Sequence, residues 1–133
     1  MGGEILEVVE RRVKLREEVV KEALEWASRL RGSVTAVLVG SYARGDFNEW
    51  SDVDVVLVSG EFKGGPLERL KAIEVPPGYE VIPLTPEEFE RLLERGDQLA
   101  LEAVERGVKL RDDLGLLSRD FAEKARKSRP GTS

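Results

Sequence analysis

GSYARGDFNEWSDVDVVLV, residues Gly40 to Val58, sets a Gly-Ser turn ahead of two aspartates one residue apart at the head of an apolar run. Strand residues two apart point to the same side, so Asp52 and Asp54 are expected to project together from the strand Asp52 to Val58. Two carboxylates held that close repel each other unless a cation lies between them. A hard divalent ion such as Mg²⁺ takes oxygen ligands of this kind. Past Asp54, Val56 and Val58 continue the same side, and Val53, Val55 and Leu57 take the other. A strand apolar on both faces is a central, covered one, so its charged end belongs at a rim. Buried carboxylates without partners would be costly there.

Working outward, Ser33 to Val39 is rich in β-branched residues and stops at a glycine, which predicts a buried strand. Gly40-Ser41 then supplies a backbone that a ligand can approach closely and a hydroxyl. The amides that follow can point at phosphate oxygens if a helical turn begins near Tyr42 to Arg44. Arg44 can neutralise phosphate charge, or form a structural ion pair with Asp52 or Asp46. If the rim performs phosphoryl or nucleotidyl transfer, a further carboxylate must complete the metal site or take a proton from the attacking hydroxyl. Glu80, the acidic residue of the strand expected at Tyr79 to Leu84, is that candidate; its alternative is a solvent-facing strand position. Ser51 is read as closing the loop by a local hydrogen bond, and Tyr42 and Trp50 as packing residues.

Composition narrows the chemistry further. The 133 residues contain no Cys and no His, which excludes thiolate and imidazole zinc sites, Ser-His-Asp and Cys-His nucleophiles, and disulfides. What remains is carboxylates, hydroxyls, Lys or Arg, and hard cations. With 21 basic against 26 acidic residues and a net charge of -5, general nucleic-acid binding is not expected. The length is that of one domain, so a large substrate must meet a separate partner or a second copy of the chain. No apolar run is long enough for a membrane span and the N-terminus lacks the apolar core of a secretory signal, so a cytoplasmic protein is expected. Charged residues at 35% with a single Asn and a single Gln match usage in proteins from hot environments.

The rest of the chain reads as helices around a small sheet. Apolar positions at Leu6, Val9, Val13, Val20, Leu24, Ala27 and Leu30 predict one long amphipathic helix from Glu4 to Arg31, closed by Gly32. A short helix is expected at Leu67 to Ile73 and a break at Pro76-Pro77-Gly78. Pro83 places the third strand's end, or the whole strand, at an edge. Thr85-Pro86-Glu87-Glu88 predicts a capped helix running to about Arg95, and Asp97 caps another that ends at Gly107. A last strand at Val108 to Arg111, a helix from Leu114 to Lys127 with a basic end, and a frayed tail at 128–133 complete one α+β domain over residues 1–127.

The run Gly40-Ser41-Tyr42-Ala43-Arg44-Gly45, followed by Ser51-Asp52-Val53-Asp54-Val55-Val56, resembles the signature of the nucleotidyltransferase superfamily that includes DNA polymerase beta and kanamycin nucleotidyltransferase. It is most similar to the minimal nucleotidyltransferases, which contain little beyond the catalytic domain. The resemblance implies a mixed sheet flanked by helices, Gly40 and Ser41 at the triphosphate of ATP or another nucleotide, and Asp52 and Asp54 on two Mg²⁺ ions. Glu80 would stand where the family more often has Asp, one methylene longer. Minimal members often occur beside a helical HEPN protein in toxin-antitoxin pairs, and some transfer AMP to a tyrosine of the toxin. The alternative within the same resemblance is an antitoxin that acts by complex formation with little or no transfer activity.

Overall fold

The computed structural model describes residues 2–118, 120, 121, 123 and 124. The chain runs through α1 (Gly2–Ser28), β1 (Val34–Val39), α2 (Gly40–Arg44), β2 (Val53–Ser59) and α3 (Pro66–Lys71). It continues through β3 (Tyr79–Leu84), α4 (Pro86–Glu94), α5 (Gln98–Glu105) and β4 (Val108–Asp112). The strands make one sheet in the order β3-β2-β1-β4, with β2 and β3 parallel and the other two pairings antiparallel. This is the mixed sheet with flanking helices that the resemblance implies, together with the long N-terminal helix that the periodicity predicts.

Both central strands are covered on both faces. Every residue of β1 is buried, as is all of β2 except Asp54. On one face Ala36, Leu38, Val55 and Leu57 pack with Val19, Ala23, Trp26 and Ala27 of α1. On the other, Val37, Val39, Val56 and Val58 pack with Phe89 and Leu93 of α4 and Ala100 and Ala103 of α5. Pro83 lies in β3, an edge strand, where its missing N–H costs no central ladder bond.

Polar side chains satisfy the helix ends that the sheet cannot. At the end of α1, Arg111 of β4 donates to the carbonyls of Ala27, Leu30 and Gly32 at 2.9, 2.7 and 2.7 Å. Thr85 and Glu88 form the expected capping box at the start of α4. Glu88 also pairs with Arg69 of α3 at 2.6 Å, and Arg69 donates to the Pro83 carbonyl, so α3, β3 and α4 are tied together.

Three expectations change. The α1 periodicity is real, but Leu6, Val9 and Val13 are 62, 50 and 53% exposed rather than core. A helix of 27 residues spans roughly 40 Å, whereas strands of six or seven residues span only about 20 Å, so the first half of α1 overhangs the sheet. β2 begins at Val53, which leaves Asp52 just ahead of the ladder rather than within it. Leu114 to Ser118 forms turns, not the start of a helix. The Asp112 carboxylate accepts from the amides of Leu116 and Leu117 at 2.9 and 3.3 Å, which offers those amides a partner outside any helix. Asp120, Phe121, Glu123 and Lys124 are helical, and the expected tail at 128–133 lies outside the described residues.

Candidate active site at the head of β2

Gly40 is the point where β1 stops and α2 begins, and its φ of 76° lies in the left-handed region. A Cβ at this position would overlap Oδ2 of Asp54. The missing side chain is therefore what lets the Asp54 carboxylate lie against the backbone of the turn. Asp54 opposes Val39 on one side and Glu80 on the other in the sheet register. Because β2 and β3 run parallel, the second residue of each strand reaches the same rim.

The electrostatics of that rim are unfavourable to charge. Burial pushes the Asp54 carboxyl above the usual aspartate value, and the charges of Glu80 and Asp52 and a hydrogen bond with Glu80 push it the same way. Arg44 opposes the shift as the weakest of these influences. Carboxyls so arranged either share a proton or are relieved by a cation. Asp52 is exposed, and its carboxylate makes no hydrogen bond or ion pair among the described residues. The donor set of Asp52, Asp54 and Glu80 is all oxygen, which fits a hard divalent cation. Among the described residues no group of three or more carboxylates is drawn into ligating geometry, so the fit is one of donor chemistry and register.

Among the described residues Arg44 forms no ion pair with Asp52 or Asp54, though its charge is felt at Asp54. It bonds Asp46 at 3.2 Å and Glu102 of α5 at 3.0 Å. Its hydrogen bond to the Asp46 carboxylate is the largest influence raising its pKa, so the guanidinium is a fixed cation. Glu102 is the residue that sequence reasoning missed. Its Oε1 accepts both from Arg44 and from the Gly40 amide, each at 3.0 Å, so it clamps α5 onto the turn. The local signal is only an acid within the apolar run Leu99 to Val104, and nothing in that run points to Gly40, 62 residues earlier.

The remaining residues fall where their local chemistry places them. The Ser41 carbonyl accepts from the amides of Gly45 and Asp46, and the Ser41 hydroxyl has no hydrogen-bond partner among the described residues. Ser51 closes the loop through Asn48, with its Oγ accepting the Asn48 amide at 2.9 Å. Tyr42 is buried and stacks on Phe47 with ring centroids 4.5 Å apart, whereas Trp50 is 85% exposed and does not pack as expected.

A family model described as the nucleotidyltransferase domain matches residues 17–128, which takes in β1, the Gly40 turn, both aspartates and Glu80. The chain belongs to the nucleotidyltransferase domain family. Its general reaction is nucleotidyl transfer, and the family uses a nucleoside triphosphate and a divalent metal. A candidate nucleotidyltransferase from Sulfolobus solfataricus, solved at 1.40 Å resolution, is similar to this one at 22% identity, covering 76% of this chain and 83% of that chain, with a TM-score of 0.46. No curated protein matches the chain. Within the described residues of this nucleotidyltransferase, no helix is long and apolar enough to cross a membrane.

Proposed function

We propose that this nucleotidyltransferase moves AMP from ATP to a protein hydroxyl, a tyrosine of a HEPN-type helical partner, with Mg²⁺ as cofactor. The observation that carries the reading is the half-buried Asp54, raised in pKa and set opposite Glu80 by the parallel register. Strain of that kind is what a cation site has before it is filled. Asp52 and Asp54 would hold the metal, which when bound supplies charge neutralisation for the triphosphate, and Glu80 would either complete that site or act as the base. Gly40 gives phosphate oxygens a close approach to the turn and Ser41 offers its hydroxyl, while the Gly40 amide and Arg44 would reach them by exchanging their bonds to Glu102. As base, Glu80 would take the proton of the attacking hydroxyl while the new bond to the α-phosphorus forms and the bond to the departing pyrophosphate breaks. The test is calorimetry with Mg²⁺-ATP, followed by labelled ATP and lysate of the source. Saturable binding and label on one protein are expected; absence of both refutes the reading.

A second reading has its own observation. The Gly40 amide and Arg44 are already engaged by Glu102, which favours a slow site in a protein that neutralises a partner by complex formation. The Asp52→Asn, Asp54→Asn double variant separates the two. Loss of biological effect with the complex intact supports transfer, and an unchanged effect supports neutralisation by binding.

A further inference from the structure

Five apolar residues on α1, Leu6, Val9, Val13, Val20 and Leu24, lie three, four, seven and four apart. As far as Val20 that is the spacing of a coiled-coil seam, in which alternate steps of three and four keep one stripe facing a second helix, and Leu24 extends the stripe one position beyond the buried Ala23. Four of the five are more than 40% exposed, and Val20, half-buried, packs at the margin of the core, so among the described residues most of the stripe is left uncovered. It lies one position around the helix from Val19, Ala23, Trp26 and Ala27, the row that faces the sheet. The step skipped between Val13 and Val20 falls at Arg16, whose guanidinium is turned away to donate to the carbonyls of Tyr42 and Ala43. The seam is roughly 27 Å long, about five helical turns.

Charge along the outer edge of this seam indicates what covers it. Glu10, Lys14, Glu17 and Lys21 alternate in sign at steps of four, three and four, all are exposed, and none makes an ion pair among the described residues. In a parallel, in-register pair equivalent positions lie on opposite sides of the twofold axis, so these four charges would not meet one another. Packed antiparallel about a point near Leu15 and Arg16, two copies of α1 set Glu10 against the partner's Lys21 and Lys14 against the partner's Glu17. The same arrangement brings Leu6 near the partner's Leu24 and Val9 near the partner's Val20. Self-complementarity of this kind is what a twofold interface requires.

We infer that two copies of this chain associate through antiparallel pairing of α1 along the Leu6 to Leu24 seam. The interface is independent of the transfer reaction, since it uses none of the rim residues.

Sedimentation velocity over a range of concentrations is the first measurement, with twice the chain mass of 14.8 kDa expected at the upper end. Val9→Glu with Val13→Glu, both at exposed positions, is expected to weaken association by on the order of tenfold or more, because each chain would bring two carboxylates to be desolvated in the seam. Circular dichroism of that variant checks that α1 remains helical. Orientation is read by cross-linking, which the absence of native cysteine makes clean. A Glu10→Cys chain mixed with a Lys21→Cys chain is expected to form the mixed disulfide faster than either forms its own. As a folding-independent check, Glu10→Lys/Glu17→Lys and Lys14→Glu/Lys21→Glu should each associate poorly alone and well when mixed. A chain that stays monomeric, leaving the seam to a different protein, overturns the inference. So does a dimer that survives the seam variant, or one that cross-links Glu10→Cys to itself.

Discussion

Replacing Gly40 with Ala tests whether the turn and the aspartate are one unit. Alanine at a φ of 76° pays roughly 1–2 kcal/mol for the left-handed conformation alone. Its Cβ would also overlap Asp54 Oδ2, so the carboxylate must turn out of its place beside Glu80 or the turn must shift. Displacing a half-buried side chain by that much adds on the order of 1–2 kcal/mol. Urea unfolding should therefore show a total loss of about 2–4 kcal/mol. The second term vanishes when the carboxylate is absent, so Gly40→Ala introduced into an Asp54→Ala background should cost only the backbone term, a coupling of at least about 1 kcal/mol in the double-mutant cycle. Equal costs of Gly40→Ala in the two backgrounds would refute the claim that the glycine exists for the aspartate.

Three further outcomes follow from the same structure. Asp54 is raised in pKa, so in the native state it binds its proton more tightly than when unfolded, and it costs stability as pH climbs above its ordinary value of 3.8. Asp54→Asn should raise the urea midpoint at neutral pH, lose that advantage below 3.8, and abolish transfer. Glu88 is lowered from 4.5 to about 2 chiefly by Arg69, so its contribution is fully present above 4.5 and disappears as pH falls toward 2. Taken whole the shift is worth roughly 3 kcal/mol, but a carboxylate 37% exposed is screened by solvent, and Glu88→Gln should cost about 1 kcal/mol at pH 7 and almost nothing near pH 2 in urea titrations. Arg111→Lys keeps the charge but not the fork that reaches three carbonyls of the α1 terminus, and should lower stability by about 2 kcal/mol by thermal or urea unfolding.

The fold was legible wherever one physical signal acted locally. Thr85 to Glu88 announced its capping box, Pro83 announced an edge strand, and the two-faced apolar run after Asp54 announced a covered strand. Glu80 could be nominated because it is the acid of its strand, and the parallel register puts it opposite Asp54. The misreadings arose where the deciding partner is far away in sequence. Periodicity reported an apolar face on α1 but not how far the sheet beneath it extends. Asp112 intercepts the amides after β4, which no helical pattern in Leu114 to Lys127 reveals. Glu102 belongs to the rim only because α5 packs on β1, and its own neighbours in the chain speak solely of packing.

The clamp between Glu102 and Gly40 also bears on when the rim can exist during folding. It joins residues 62 apart, and the neighbouring acids come from strands separated by α3 and its loops. Closing contacts of such span costs chain entropy before they return any favourable energy, so they form late, after the local helices and the β1–β2 hairpin. A nascent or truncated chain that stops short of α5 carries the complete signature, Gly40 through Val58, with one side of the turn unbraced. The short motif is thus a statement about ancestry, and the geometry of its turn is completed only by the distant helix that braces it.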